Sequence, residues 1–273
     1  MAANYWIGTD GVWSTNGNWS SGTAPAASGT AVLDGTYSDF PITSGFAQGA
    51  VDLALLFINE NYTADVASAG DPLVINADLV VHLGGGGLNI SNDGTGKTID
   101  KMIINTAGND ASNTVKGGNI TMLAVTRGNV ELIDVDATMA DLILSQDQDI
   151  FGANVKVLST STAITNIKMD GGRLTLAGAA DVGKIIMSQG VLTNESSSLS
   201  STELHQFNGS TNWNTAVTLS FAAIMAGRLD FTKTSHEKTI TKFLLMPDAT
   251  FEFIPSLTTA TPLDLTGESG VSG

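Results

Sequence analysis

Between Leu56 and Phe253 the chain repeats one short pattern: two apolar residues at alternate positions, a turn residue, then two more apolar residues. The clearest copies are Val81-x-Leu83-x-x-Gly86-x-Leu88-x-Ile90, Leu123-x-Val125-x-x-Gly128-x-Val130-x-Leu132 and Ile167-x-Met169-x-x-Gly172-x-Leu174-x-Leu176. Fainter copies centre on Gly190 (Ile185, Met187, Leu192), Gly227 (Ile224, Leu229, Phe231) and Ala249 (Leu244, Met246, Phe251, Phe253). Turn residues at Asn61, Gly108, Asp147 and Gly209 fill the intervals, so successive centres lie 18 to 25 residues apart. Alternation of period two marks strands with one face inside, and a period near twenty is that of one coil of a β-solenoid. Each coil then buries its apolar face only against its neighbours. The pattern predicts an all-β, single-stranded solenoid of about nine or ten coils over residues 51–254. In this register Val81, Leu83, Leu244 and Met246 point inward, and His82 points outward.

Proline supports the same reading. It cannot donate to a β-ladder, and none of the six prolines lies between residues 73 and 246. The two ends differ from the middle. Residues 1–50 carry Trp6, Trp13 and Trp19, bulky side chains suited to covering the open first coil. This segment is expected to be an aromatic cap merging into the first coil. Residues 255–273 hold Pro255, Pro262, Leu257, Leu263 and Leu265, then a Gly/Ser-rich run, and read as a second cap with a flexible tail. Ser200–Phe207 interrupts the repeats and is expected to form a short helical turn projecting from the stack.

Composition excludes some partners. The net charge is −15, with nine Lys and three Arg, so no basic stripe offers itself to nucleic acid or to an anionic membrane. There is no cysteine, hence no disulfide or thiolate metal site. Met-Ala-Ala-Asn-Tyr-Trp has neither a basic start nor an apolar run, and no window of eighteen apolar residues occurs. The expectation is a chain made in the cytoplasm that reaches its place by assembly.

The string Tyr5-Trp6-x-Gly8, Gly11-x-Trp13, Asn18-Trp19-Ser20, followed by Pro25 and Ala31-Val32-Leu33-Asp34, resembles the opening of two groups of β-solenoid proteins. One is bacteriophage virion structural proteins; the other is secreted, autotransporter-like bacterial passengers. The resemblance implies a right-handed β-helix and carries no catalytic residues. It points to a non-enzymatic structural protein on the virion exterior, a capsid decoration or head-fibre component. Its expected partners are capsid or other virion proteins and further copies of itself, a trimer among the options. Two alternatives stay open: a tail spike that binds or cleaves a host surface polysaccharide, and a secreted adhesin.

Several residues stand out as possible sites. Gly96-Lys97-Thr98 resembles the end of a phosphate-binding loop but has Ser91 where a glycine is needed. Gly84-Gly85-Gly86-Gly87-Leu88-Asn89 departs from a calcium-binding solenoid repeat at Asn89, and is expected to form a corner of positive φ. Asp134 with Asp136, and Asp147 with Asp149, each lie two apart on one strand face, the arrangement of a metal or glycan site. His82, His205 and His236 lack metal-ligand spacing. Arg127, Arg173 and Arg228 sit beside turn glycines and suggest a docking row along one corner, with Trp6, Trp13, Trp19 and Trp213 as further contact candidates. No cofactor and no catalytic set is indicated.

Overall fold

The computed structural model describes residues 2–92, 98–106, 112–117, 119–133, 138–145, 152–158, 163–178, 181–196, 199–233, 238–253 and 264–265. Among the described residues eighteen strands form one sheet, and its ladders are parallel. A parallel neighbour is reached only by carrying the chain round a full turn, so the sheet winds into a β-solenoid. One ladder runs through Tyr5, Val32, Phe57, Val81, Ile103, Ala124, Ile143, Lys168, Ile186, His205, Ala223 and Leu244. At about 4.8 Å per rung this column is roughly 53 Å long. Its first two rungs come from the aromatic N-terminal segment, which therefore enters the stack.

The corners are built by glycine. The long strands Asn119–Ile133, Ala163–Leu176, Asp181–Asn194 and Val217–Phe231 each contain at least one. Gly128, Gly172, Gly190, Gly209 and Gly227 all have positive φ. Space is as restrictive as conformation. A Cβ on Gly209 would lie 2.5 Å from the Gly190 carbonyl oxygen, and one on Gly227 would lie 2.2 Å from that of Gly209. The backbone of each coil thus rests directly on the corner below.

Inside, apolar side chains stack on their counterparts. Ile167 lies over Leu142 and under Ile185; Leu174 lies over Val155 and under Leu192. All are fully buried, and each contributes about 1.5–3 kcal/mol. The interior also holds polar groups that brace corners. Gln206 Nε2 donates to the carbonyl oxygens of Gly209 at 3.0 Å and Arg228 at 3.2 Å, and Thr211 Oγ1 donates to Gln206 Oε1 at 2.9 Å.

Four expectations are corrected. Ser200–Gln206 is a strand paired in parallel with both Asp181–Asn194 and Val217–Phe231, so it is a coil of the stack and not a helical insertion. In Leu73–His82 the register is one residue off: Val80 and His82 are buried, while Val81 is partly exposed. In the coil of Phe243–Phe253, Phe243 and Leu245 pack on the core while Leu244 and Met246 are exposed. Finally, none of Gly84–Gly87 has positive φ; Gly86 is required because a Cβ would meet the Ala64 carbonyl oxygen at 2.0 Å. Pro247 lies in the strand Phe243–Phe253, beside a register shift after Ile224, the kind of irregular site that tolerates a missing donor.

The N-terminal segment is an aromatic cap. Trp6 and Trp13 pack edge-on against Trp19, with ring centroids at 5.3 and 4.8 Å. Trp19 Nε1 donates to the Trp13 carbonyl oxygen at 2.7 Å, and both Trp6 Nε1 and the Tyr62 hydroxyl donate to that of Phe40. Gly8 is required because its Cα lies against the Trp6 ring, which a Cβ would approach to 2.3 Å. Every indole here is buried.

Candidate interaction surface

The interior is filled, so whatever the solenoid recognises must meet its outer flanks. The long strands present two of them, one on each side of the glycine corner. Beyond the corner the outward columns are polar. One runs Ser112, Asn129, Asn154, Arg173, Val191, Ser210, Arg228, Thr250; its neighbour runs Thr114, Glu131, Lys156, Thr175, Thr193, Asn212, Asp230, Glu252. Asn154 Nδ2 donates to Asn129 Oδ1 at 2.9 Å, tying one rung to the next. An open depression of about 550 Å³ lies on this flank, lined by Asn129, Glu131, Asn154, Lys156, Thr175 and Glu195 among others. It is a shallow polar groove.

Before the corner the outward column is apolar from Tyr5 through Ile143, then meets Lys168. Leu55, Leu79 and Met122 lie in the adjacent outward column with Lys101. Phe57, Val81, Ile103 and Ile143 are partly exposed. Tyr37 rests on Tyr5 with ring centroids 4.4 Å apart and is 55% exposed. Period-two alternation hides such a flank, because apolar residues on both faces make inside and outside look alike.

The arginines do not form a single row. Arg173 and Arg228 share an outward column three rungs apart, separated by Val191 and Ser210. Arg127 lies two positions out of that column, beside Asn105 and before the corner. Arg228 is engaged within the chain. Its Nε and Nη2 donate to both Glu252 carboxylate oxygens at 2.8 and 2.6 Å, and Nη2 also reaches Asp230 Oδ2 at 2.8 Å. The hydrogen bond with Glu252 raises the guanidinium pKa above its usual range. Burial pushes the Asp230 carboxyl up, but donations from Thr232 and the nearby Arg228 hold it below its ordinary value. The fork that could have gripped a partner's carboxylate grips the next coil instead.

The tryptophans are all buried within the chain. Trp6, Trp13 and Trp19 lie inside the cap, and Trp213 lies in the core against Phe231. His82 is also inside: its Nε2 is 3.0 Å from the Gly86 carbonyl oxygen, and burial lowers its pKa to about 4.

Many acidic residues near the N-terminus staple one coil to the next. Asp34 accepts from Asn59 and Asn61 of the following coil, Asp39 from the backbone of Thr63 and Ala64, and Asp65 from the backbone of Gly87. Burial pushes the Asp34 carboxyl up, yet donations from Asn59, Thr36 and Asn61 outweigh it and hold the pKa at about 2. Asp134, Asp136, Asp147 and Asp149 lie outside the described residues, as do Gly96 and Lys97. Among the described residues no group of three or more His, Asp or Glu side chains could hold a metal ion.

Comparison with protein-family models, curated proteins and solved structures gave no match. The chain is a structurally repetitive β-solenoid with an N-terminal tryptophan cluster, and its own geometry must carry any functional reading.

Proposed function

We propose that this chain is a non-enzymatic structural component of the exterior of a bacteriophage virion, a capsid decoration or head-fibre element. One observation carries the reading: a continuous parallel ladder, packed inside and capped by interlocked indoles, makes a stack that offers partners its outer surface. The resemblance of the Trp6–Ser20 opening to phage solenoid proteins, noted above, points the same way. In this role recognition is passive. Flanks dock on neighbouring proteins, and the Thr- and Asn-rich columns face the medium.

A second reading rests on the shallow groove around Asn129, Glu131, Asn154, Lys156 and Thr175. Amide, hydroxyl and carboxylate groups in register suit hydroxyl-rich ligands, as in a spike that binds surface polysaccharide. Immunogold electron microscopy of a phage lysate separates the two. Dozens of labels spread over heads support decoration. Labels confined to tails support the spike, and labels on cell envelopes with none on particles overturn both.

A further inference from the structure

The outward apolar column from Tyr5 to Ile143 is not needed to fill the interior. The interior on the other side of the same strands is already filled by Leu56, Val80, Met102, Leu123 and Leu142, all fully buried. Its seven rungs form a column spaced at about 4.8 Å and roughly 29 Å long, in which Val32 is buried and Tyr5, Phe57, Val81, Ile103, Ala124 and Ile143 are partly exposed. Parallel sheets are commonly covered on both faces, and here the outward face is only partly covered. We infer that this flank is the contact between copies of the chain, meeting the same flank of a second molecule.

Two observations select a second copy as the occupant. Spacing is the first. A ridge repeating at the rung distance is matched along its whole length by another solenoid flank, which repeats at the same distance, and a self-complementary patch is what an isologous contact needs. Charge is the second. The chain carries 27 acidic against 12 basic residues, which opposes self-association in general. On these two columns, between Leu55 and Phe221, Lys101, Lys168 and Lys184 stand against only Asp141 and Glu203. Two of the lysines are answered locally: Lys168 Nζ lies 2.8 Å from Asp141, and Lys184 Nζ 3.9 Å from Glu203. The charge on this strip therefore nearly cancels, against −15 for the whole chain.

The contact makes no claim about virions and survives or fails independently of the proposed function. Its test is the mass of the whole chain in solution by light scattering after gel filtration, from micromolar to about 100 μM, for wild type, Ile103→Glu and Asn154→Glu. The expected result is an oligomer for wild type and for Asn154→Glu. Ile103→Glu is expected to be a monomer with an unchanged circular dichroism spectrum. A wild type that is monomeric throughout, or an Ile103→Glu oligomer as tight as wild type, overturns the inference. Because the chain has no cysteine, Ile103→Cys gives a second readout should the glutamate prevent folding. Its maleimide labelling should slow at least tenfold between dilute and concentrated protein, while that of Asn154→Cys stays constant. Equal concentration dependence at the two positions counts against this flank.

Discussion

The two flanks beside the glycine corner share strands, interior and spacing, and differ only in what they turn outward. In Asn119–Ile133, Met122 and Ala124 point out before the corner, while Asn129 and Glu131 point out after it. Both stretches fold equally well, since Leu123, Val125, Val130 and Leu132 are buried between them. Inward residues therefore decide the coil, and outward residues decide what the coil meets. A polar flank lets water serve as the neighbour. An apolar one leaves surface that burial against another molecule would stabilise.

The largest effect should come from the corner that holds the flanks at their angle. Gly209→Ala forces an L-residue to φ 88 with its Cβ against the Gly190 carbonyl oxygen. A loss of about 3 kcal/mol or more is expected, measured by urea denaturation, and both flanks should unfold together. Next comes the bracing inside that corner. Gln206→Ala leaves the buried Thr211 hydroxyl without its acceptor, while the Gly209 carbonyl keeps its bond from the Arg228 N–H; the expected cost is about 1–3 kcal/mol, whereas Gln206→Leu with Thr211→Val should recover to within about 1 kcal/mol. Equal losses for the two would mean that the polar bridge is not what shapes the corner.

A comparable effect should follow pH on the apolar side. His82 has a folded pKa of about 4 against an ordinary 6.5. Between those values the unfolded chain binds more protons than the folded one. The stability contribution is full above pH 6.5 and is lost as pH falls toward 4, by a few kcal/mol. His82→Gln should flatten that window in denaturation curves taken from pH 7 to 4. Lys168→Ile joins Ile143 to Ile186 in one column and should tighten association about tenfold by sedimentation. Smallest of all, Thr193→Val on the polar flank should change stability by no more than about 0.5 kcal/mol and leave mass unaltered.

Legibility in the sequence followed the same division. Where the outward residues are polar, alternation fixed the register: Ile167, Met169, Leu174 and Leu176 were read as inward and are buried. At Val81 and Leu83 the outward residues are apolar too, and the reading slipped by one. The coil around Gly209 was concealed for the opposite reason, since Gln206 and Thr211 occupy inward positions that elsewhere carry apolar side chains. Corner glycines were legible because positive φ has few alternatives. The interaction flank was not, because a row across many coils leaves no trace in any one stretch of chain. The arginine placement misled for a related reason: closeness to a turn says nothing about which column a residue joins.

The corner glycines also make the length of the rod a separable property. Gly190, Gly209 and Gly227 follow one another at nearly equal steps and stack backbone on backbone. Removing or duplicating the segment between two of them brings equivalent surfaces together, with the hydrogen-bond register and interior columns continuing across the join. Such a molecule is a ruler graduated in whole coils of about 4.8 Å, which selection can lengthen or shorten without redesigning either end.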